Sequence, residues 1–408
     1  MSQTFVIAGG GLAGAKAADT LRAEGFAGRI VLASGENEYP YERPPLSKGY
    51  LQGKDERESA QVFEPSWYAE NNVELLRGTA VTGLDPAGHV AALANGQSVT
   101  YDKLLIATGA VPRPLAGTGS DLDGIHYLRN LTDSERIRDQ LGEHKHLLVV
   151  GAGWIGLEVA AAARIAGAQV TVVEVAALPL ERVLGRECAQ IFARLHAEQG
   201  VDLRLQTGLH ELIGQGRAER ALLTDGSEIE IDAVVVGIGA APADDLAKTA
   251  GLQTSNGILT DEHLRTSEPD IFAAGDVANA WHPLFGERVR TEHWANALTS
   301  GPAAARSMLG QDVTYDPVPY FFSDQYSLGM EYAGWIGPAG YDEVVFRGDV
   351  PGREFVAFWL RAGVVLAGMN VNVWDVSDDI QALVRSRAVV DRARLADHAV
   401  PITELVPR

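Results

Sequence analysis

The chain has 408 residues, enough for two or three domains with sizeable cores. Hydrophobic residues make up 46% and charged residues 22%, as in ordinary globular proteins, while the formal net charge of -20 disfavours nucleic acid and anionic membranes as partners. The sequence contains neither a secretory signal pattern nor an apolar run of membrane-spanning length, so we expect a cytoplasmic protein that does not contact a membrane.

Cysteine usage limits the chemistry further. Cys188 is the single cysteine of the chain, so neither an internal disulfide nor a Cys-x-x-Cys pair can form. We interpret Cys188 as a small buried hydrophobic residue, and we predict no metal site.

The first element is a glycine-rich turn between a strand and a helix. The apolar run Phe5–Ala8 predicts a buried parallel strand. Gly9, Gly11 and Gly14 follow it in Gly-x-Gly-x-x-Gly spacing, ahead of a helix-forming run. The first glycine permits the tight turn, the second lets the backbone approach a pyrophosphate, and the third lets the helix pack on the strand. The free N–H groups of the helix would then point at the anion.

Acidic and basic residues come next. Residues 29–33 predict a second strand, and Glu36 follows about 20 residues beyond the glycines, where a carboxylate accepts hydrogen bonds from ribose hydroxyls. Glu38 is the competing residue. Prolines then stiffen a segment that Arg43 and Lys48 flank. These two cations are either ordinary surface residues or contacts for phosphates and a flavin edge.

A second unit repeats this organisation. A strand from residue 146 leads to Gly151, Gly153 and Gly156, a helix follows, and the next strand ends at Glu174. A carboxylate there should accept from a free ribose 2′-OH and repel a 2′-phosphate, so we predict NAD as the nucleotide. Two dinucleotide folds in one chain imply two dinucleotides.

Glu158 opens the second helix and has two readings. It is either a first-turn glutamate that favours the helix dipole, or a carboxylate at the nicotinamide edge that pairs with Lys48 across the cofactor cleft.

Turns of small residues close both units. Residues 99–110 predict a strand ending in a turn that would let the chain pass close to a bound cofactor, and residues 232–240 mirror them. We expect residues 111–114, between the units, to be a crossover linker.

The chain is then expected to return to the first domain. Residues 269–278 predict a strand ending at Gly275 and Asp276, where the aspartate can accept from a ribityl hydroxyl. An alanine-rich helix ends near Met308, and its positive N-terminus is expected at the N1–C2=O edge of a flavin. We expect a capping or packing role for His293 instead of a catalytic one.

The composition shifts from Pro319 towards aromatic residues and strand-like runs, which predicts a third domain with a sheet and trailing helices. The C-terminal segment of this domain is locally basic. Its basic residues belong either to a solvated helix face or to a surface that docks a partner. The basic residues are Arg385, Arg387, Arg392 and Arg394.

Seven motifs together closely resemble the NADH-dependent ferredoxin reductases of bacterial oxygenase systems, a flavoprotein family that includes putidaredoxin reductase, rubredoxin reductases and apoptosis-inducing factors. The motifs span the chain and are GGGLAG, PYERPPLSK, LLIATGA, GAGWIGLE, IFAAGDVA, EHWANA and PYFFSDQY. The resemblance implies an α/β fold with two Rossmann-like dinucleotide-binding domains, as in glutathione reductase, plus a C-terminal α+β domain. We predict a discontinuous FAD-binding domain at 1–112 and 240–318, an NAD-binding domain at 113–239 and a C-terminal domain at 319–408.

The resemblance also implies site residues. In that family the residues matching Arg43, Lys48, Arg113 and Asp276 contact FAD, and the one matching Trp294 contributes its backbone at the flavin ring. The residues matching Lys48 and Glu158 pair near the flavin, and we predict them as the catalytic residues. The full cofactor-binding set predicted is Gly9, Gly11, Leu12, Ala13, Gly14, Glu36, Arg43, Lys48, Ala80, Val81, Ala107, Thr108, Gly109, Arg113, Gly275, Asp276, Glu292, His293, Trp294, Gly151, Gly153, Trp154, Ile155, Gly156, Glu158, Glu174, Gly237, Ile238 and Gly239.

The predicted reaction is hydride transfer from NADH to N5 of FAD, then single-electron transfer to a 2Fe-2S ferredoxin. That ferredoxin would supply a haem-thiolate monooxygenase or a ring-hydroxylating dioxygenase, and the reductase would be a monomer or weak dimer. Family members carry tryptophans where this chain has Tyr320 and Phe322, which puts an electron exit through tryptophan in doubt. Two alternatives stay open: a rubredoxin reductase and a non-catalytic NADH-sensing interaction flavoprotein. A disulfide reductase or thiol peroxidase of the same fold would need a cysteine beside the flavin, and we discount it because Cys188 lies far in sequence from Lys48.

Overall fold

The computed structural model describes residues 3–405 of the chain. The strands, in chain order, are β1 (Thr4–Ala8), β2 (Arg29–Ala33), β3 (Val73–Leu76), β4 (Val81–Asp85), β5 (Val90–Leu93), β6 (Ser98–Thr100), β7 (Lys103–Ile106), β8 (Ala110–Pro112), β9 (Ile125–His126), β10 (His146–Val150), β11 (Gln169–Glu174), β12 (Asp202–Leu205), β13 (Leu209–Ile213), β14 (Arg220–Leu223), β15 (Glu228–Glu230), β16 (Ala233–Val236), β17 (Ala240–Pro242), β18 (Ile258–Thr260), β19 (Ile271–Ala273), β20 (Ala278–His282), β21 (Glu287–Val289), β22 (Tyr320–Gln325), β23 (Leu328–Gly334), β24 (Glu343–Asp349), β25 (Glu354–Arg361) and β26 (Val364–Val371). The α-helices are α1 (Leu12–Ala23), α2 (Pro65–Glu70), α3 (Leu131–Arg138), α4 (Trp154–Ile165), α5 (Glu181–Glu198), α6 (Asp245–Thr249), α7 (Trp294–Met308), α8 (Ser377–Ser386) and α9 (Arg392–Ala396). Short 3₁₀ turns lie at Pro44–Ser47, Arg57–Ala60, Gly275–Val277 and Ile402–Glu404.

Two compact units make up the chain. Unit 1 contains the described residues up to Glu42, together with Glu58–Val111 and Ala241–Phe321. Unit 2 contains Arg43–Arg57, Pro112–Ala240 and the described residues from Phe322 onward. The three-domain boundaries given above stay a prediction.

The centre of unit 1 is a five-stranded parallel sheet with the strand order β19-β7-β1-β2-β3. Alternate side chains of β1 supply cores on opposite faces of this sheet. Phe5 and Ile7 pack in the core that also contains alanines of α1 and α7, whereas Val6 and Ala8 pack in the other. A strand buried on both faces reads as a continuous apolar run, which is why β1 was visible in the sequence.

Helices α1 and α7 pack closely because small residues line their contact. A Cβ added at Gly301 of α7 would lie only 2.3 Å from the backbone oxygen of Ala13 in α1. Such a separation is far below van der Waals contact, so a glycine is required for this packing.

Unit 2 contains two five-stranded sheets. The first is parallel, with the strand order β12-β11-β10-β16-β9, and repeats the arrangement of unit 1. The second has the order β22-β23-β26-β25-β24 and is antiparallel in its β23–β26, β25–β26 and β24–β25 pairs. Helix α8 packs on β26. Two dinucleotide-type sheets and a C-terminal sheet with trailing helices therefore confirm the predicted fold class.

The C-terminal sheet packs on α5 within unit 2. Trp359 of β25 is fully buried, and its indole Nε1 donates to the backbone oxygen of Leu184 at 2.9 Å. Gly185, with φ +72, interrupts α5 at the next residue, where a Cβ would collide with the hydroxyl of Tyr341. The interruption follows from the glycine, since an L side chain rarely adopts this conformation.

The α1–α7 contact yields a stability prediction. Gly301→Ala should lower the free energy of unfolding by about 1–3 kcal/mol, because the added methyl group has to push the two helices apart. Urea unfolding followed by circular dichroism would measure it. Gly83→Ala is the matched control, since its Cβ would meet Ala92 Cβ at an ordinary 3.7 Å. Equal effects of the two substitutions would contradict the packing argument.

Candidate cofactor site

The first glycine turn lies at the carboxyl end of β1. Gly9 has φ +130, and a Cβ there would lie 2.1 Å from the backbone oxygen of Ala107. A Cβ at Gly14 would lie 2.1 Å from the backbone oxygen of Gly9. These two glycines thus allow β1, β7 and α1 to meet closely, as the motif predicts.

The N-terminus of α1 fits a bound anion. Its N-cap is Gly11, which has no side chain to accept from the first N–H groups of the helix, and a Cβ there would have open space around it. Leu12, Ala13 and Gly14 make the start of the first turn uncharged. Free N–H groups, a positive helix end and open space match the pyrophosphate of a dinucleotide.

Glu36 follows β2 and is half buried. The hydroxyl of Tyr41 donates to its Oε2, and its backbone N–H donates to Ser34 Oγ at 3.3 Å. The carboxylate is therefore oriented by neighbouring side chains, and its role towards ribose stays a prediction. Ala80 is nearby, with its Cβ 3.5 Å from where a Cβ of Gly35 would lie, and Val81 begins β4.

The small-residue turn after β7 is anchored within unit 1. Thr108 Oγ1 donates to the backbone oxygen of Ala243 at 2.7 Å, and the backbone oxygen of Gly109 accepts from the same residue at 2.9 Å. The turn after β19 is anchored similarly, since Gly275 N–H donates to Ser300 Oγ at 2.9 Å. Both turns lie at the carboxyl ends of neighbouring parallel strands, where α/β sheets bind ligands.

Arg290 is a further candidate that the sequence analysis missed. Its guanidinium donates to the backbone oxygen of Asp276 at 3.1 Å and pairs with Glu292 at 2.7 Å. Its Nε is buried and makes no hydrogen bond within residues 3–405. An unsatisfied buried donor beside the predicted ribityl contact fits a polar ligand such as FAD.

The start of α7 agrees with the modest role expected for His293. This residue is the N-cap, and its ring stacks on Phe321 with the ring centroids 4.5 Å apart. Burial lowers the pKa of His293 to about 4, against an opposing effect of Asp276, so the ring is neutral at physiological pH. Trp294 begins the helix itself.

The second glycine turn, in unit 2, repeats the first. A Cβ at Gly151 would lie 2.5 Å from the backbone oxygen of Gly237, and one at Gly156 would lie 2.2 Å from that of Gly151. Gly153 is the N-cap of α4, with Trp154 and Ile155 next. The described residues of unit 2 therefore offer a second anion cradle that fits NAD. Ile155 and Ile238 are 43% and 41% exposed, leaving apolar surface beside it.

Glu174 is fixed at the end of β11 by backbone groups. Its Oε2 accepts from Ala152 N–H at 2.8 Å, and its Oε1 accepts from Ala176 N–H at 2.9 Å. The carboxylate is thus held beside the glycine turn, since Ala152 lies between Gly151 and Gly153. Its selectivity for a free ribose hydroxyl stays a prediction.

The predicted partners Lys48 and Glu158 do meet, and both belong to unit 2. Lys48 Nζ lies 2.8 Å from Glu158 Oε2, and the glutamate side chain is only 4% exposed. Ser47 donates to the same oxygen, and Ser323 donates to Oε1 at 2.7 Å. Glu158 is therefore a buried, paired carboxylate, and it lies beyond the first turn of α4, which contains no acidic residue. Lys48 Nζ also lies 5.3 Å from the centroid of the Phe322 ring.

The two other predicted arginines are held mainly through backbone contacts. Arg43 donates to the backbone oxygen of Arg129, and the backbone N–H of Arg113 donates to that of Gly239 at 2.9 Å. Their proposed contacts with FAD stay predictions.

The basic C-terminal residues are partly compensated. Arg392 pairs with Glu343 at 2.7 Å, and Arg394 lies 3.9 Å from Glu404. Both arginines are more than half exposed.

Disulfide and metal chemistry find no support. Cys188 is fully buried in α5, and burial raises the pKa of its thiol, so it is the inert hydrophobic residue predicted. Across residues 3–405 no group of His, Cys, Asp and Glu could hold a metal ion. Over the same residues, every helix is too short or too polar to cross a bilayer.

Sequence reasoning missed Ser47 and Ser323, which complete the coordination of Glu158. A signal existed for the second, because Ser323 and Gln325 are small or polar residues at inward positions of strand β22, which begins with three aromatic residues. The burial of both at 1% exposure is a property of the fold that their sequence neighbours do not reveal.

Comparison with known proteins agrees over the full length. A family described as pyridine nucleotide-disulphide oxidoreductase matches residues 3–301, and one described as reductase C-terminal matches residues 320–406. Putidaredoxin reductase CamA of Pseudomonas putida is 38% identical, with 99% of this chain and 97% of that protein covered. The 5,5'-dehydrodivanillate O-demethylase ferredoxin reductase subunit of Sphingobium sp. (strain NBRC 103272 / SYK-6) is 40% identical, with 98% and 97% covered.

Solved structures agree as well. The reductase in the crystal structure of the covalent putidaredoxin reductase-putidaredoxin complex superposes with a TM-score of 0.94 at 37% identity, covering 99% of this chain and 98% of that one. The resemblance predicted from the motifs is thereby confirmed. The chain belongs to the pyridine nucleotide-disulphide oxidoreductase family, in its branch of ferredoxin reductases, whose cofactors are FAD and NAD(H).

Proposed function

We propose that this protein is an NADH-dependent ferredoxin reductase that supplies electrons to an oxygenase through a 2Fe-2S ferredoxin. The observation that carries the proposal is similarity along the whole chain, since relatives named as ferredoxin reductase components match both its nucleotide-binding part and its C-terminal part. When bound, FAD supplies the redox chemistry by accepting a hydride from NADH and releasing single electrons to the ferredoxin.

The residues of unit 1 are suited to hold FAD permanently. The α1 N-terminus offers N–H groups and a positive helix end to the pyrophosphate, and Glu36 offers a carboxylate to ribose. The Asp276 carboxylate and the buried Arg290 guanidinium supply an acceptor and a donor for the ribityl chain. These are binding roles, and none of them requires a proton to move.

The residues of unit 2 are suited to select and orient NADH. Glu174 is held as a fixed acceptor beside the second glycine turn, which favours a free 2′-hydroxyl and disfavours a 2′-phosphate. Glu158, which is buried, and Lys48, which is partly exposed, form a charge-neutral pair that offers polar groups without leaving a net charge in the low-dielectric interior. Their proposed task is to orient the nicotinamide, because hydride transfer needs alignment more than acid–base catalysis.

The disulfide reductase alternative loses its basis. The single cysteine is buried in α5 with a raised thiol pKa, and such a thiol is a poor nucleophile. A rubredoxin as the acceptor, and an NADH-sensing role without rapid electron transfer, are outcomes that the following experiment separates.

The acceptor assay is the direct test of the function. The yellow purified protein should reduce ferricyanide with NADH much faster than with NADPH, and should reduce cytochrome c only when a 2Fe-2S ferredoxin is added. A panel of ferredoxins and rubredoxins, assayed side by side, identifies the acceptor. Turnover with rubredoxin alone would contradict the ferredoxin assignment, and slow transfer to every acceptor would support the sensing alternative.

Nucleotide choice is tested at Glu174. The double substitution Glu174→Gln with Val175→Arg should shift the ratio of kcat/KM for NADH over NADPH at least about tenfold towards NADPH, because the repelling charge is removed and a cation is added. Val175 is suited to the change, since it is 76% exposed. Val175→Arg alone is the control. An unchanged ratio in the double variant would contradict the prediction that Glu174 contacts the ribose.

The inert cysteine gives a complementary prediction. Cys188→Ala should leave NADH:ferricyanide turnover unchanged and lower the unfolding free energy by about 1 kcal/mol through the small cavity. Steady-state rates and urea unfolding measure the two effects. A tenfold loss of turnover in a folded variant would indicate that the Cys188 thiol takes part in the reaction.

A further inference from the structure

A chain of buried polar side chains leads from Glu158 into the interior of unit 2. Ser323 Oγ lies 2.7 Å from Glu158 Oε1, Gln325 Nε2 lies 3.1 Å from Ser323 Oγ, and His196 Nε2 lies 2.8 Å from Gln325 Oε1. The glutamate is 4% exposed, and the three others are at most 1% exposed. This chain of hydrogen-bonded side chains thus joins α4, β22 and α5 and is almost completely shielded from solvent.

The donors along this chain all point the same way. The amide oxygen of Gln325 can only accept, so His196 must donate from Nε2. The Gln325 amide N–H₂ then donates to Ser323 Oγ, whose own hydrogen is left for the Glu158 carboxylate. His196 therefore fixes the Gln325 amide in the orientation that leaves Glu158 as the acceptor for the Ser323 hydrogen.

The surroundings of His196 favour this single arrangement. Its Nδ1 is buried and has no hydrogen-bond partner among residues 3–405, so a proton there would be unsatisfied. Burial also lowers the pKa of His196, which keeps the ring neutral despite the bond to Gln325. If the proton moved to Nδ1, Gln325 would have to turn its amide, and the amide oxygen would then compete with the Glu158 carboxylate for the Ser323 hydrogen.

Strand β22 contacts both members of the Lys48–Glu158 pair through consecutive residues. Phe322 lies under the Lys48 ammonium, whereas Ser323, on the opposite face of the strand, donates to Glu158. Asp324 returns to the first face, and burial raises the pKa of its carboxyl, with opposing and reinforcing effects of Lys48 and Glu158. The carboxylate of Glu158 is consequently held from two segments, with Ser47 and Lys48 on one oxygen and Ser323 on the other.

We propose that Ser323 is a positioning residue for Glu158, and that Gln325 and His196 fix the direction in which its hydroxyl donates. This inference rests on the proposed function, in which Glu158 orients the nicotinamide. Without Ser323, the carboxylate keeps its two donors on Oε2 but can rotate about them, since Oε1 has lost its restraint. The expected defect is therefore in hydride transfer and not in nucleotide affinity.

The kinetic test compares Ser323→Ala with two references. Stopped-flow bleaching of the enzyme-bound flavin by NADH should slow about tenfold in Ser323→Ala, the equivalent of one lost hydrogen bond to a charged group, with the Kd for NADH changed less than threefold. Ser323→Thr, which keeps the hydroxyl, should restore most of the rate. Thr171→Val is the matched control, because it removes another hydroxyl buried at 1% exposure in unit 2.

Gln325→Glu tests the direction of the hydrogen bonds, because it replaces an amide donor by an acceptor in a side chain of the same length. A carboxylate at this position no longer donates to Ser323 and competes with Glu158 for its hydrogen, so hydride transfer should slow, by at most as much as in Ser323→Ala. Circular dichroism and thermal unfolding show whether each variant is folded. Should Gln325→Glu not fold, Ser323→Ala, Ser323→Thr and the measurement below still decide the proposal.

Nitrogen-15 NMR of the histidine-labelled holoenzyme tests the arrangement without turnover. The His196 signal, identified by its loss in His196→Gln, should show a neutral ring protonated at Nε2 between pH 6 and 9. A proton on Nδ1, or a Ser323→Ala variant that transfers hydride as fast as Thr171→Val, would overturn the proposal. If wild-type flavin were not bleached by NADH at all, the proposed function would fail, while the NMR result would still report on the chain.

Discussion

The burial of a carboxylate at residue 158 is the constraint that organises unit 2. An isolated charge in the interior costs several kcal/mol even after relaxation, so it must be neutralised and supplied with donors. The proline-stiffened segment 43–57 contributes Ser47 and Lys48, and β22 contributes Ser323. Because Leu46 is buried and its backbone oxygen accepts from Ser134 at 2.8 Å, that segment is itself fixed to α3. The charge and the surrounding fold therefore depend on each other.

A second constraint is that strand, turn and helix approach each other closely through their backbones. Glycines in the turn make this possible in both units. In each unit the first glycine of the turn faces a carbonyl oxygen of the neighbouring strand end, and the third faces the carbonyl of the first. A methyl group at any of these places would separate the strands from the helix by more than the structure tolerates. The cradle for an anion is thus a consequence of how tightly strand, turn and helix are packed.

The sequence predicted what depends on neighbours along the chain. The sequence indicated Gly9, Gly151 and Glu174 because each lies in a βαβ unit in which the spacing of strand, turn and carboxylate is fixed. The pairing of Lys48 with Glu158 joins residues 110 positions apart, and its prediction rested on the family resemblance as well as on local pattern.

The residues that were missed have at most a weak local signature. Ser323 is 165 positions from Glu158, and His196 is 129 positions from Gln325. Serine, glutamine and histidine are ordinary surface residues in any sequence window, and only the packing of the C-terminal sheet on α4 and α5 buries them. Arg290 is similar, since its unsatisfied Nε becomes visible only when burial is known. Fold class could therefore be predicted well, whereas the groups that orient the site could not.

The two glutamates that are predicted to contact ribose differ in how their carboxylates are held. The Glu36 carboxylate accepts a hydrogen bond from the hydroxyl of a tyrosine side chain. In Glu174, by contrast, each carboxylate oxygen accepts a hydrogen bond from a different backbone N–H group. Backbone donors in a rigid turn hold the carboxylate in place whether or not a nucleotide is bound, so little ordering entropy is lost when one arrives. Such preorganisation matters most for a nucleotide that binds and leaves in every cycle. For a nucleotide that stays bound, a carboxylate ordered by side chains is sufficient, because its ordering cost arises once.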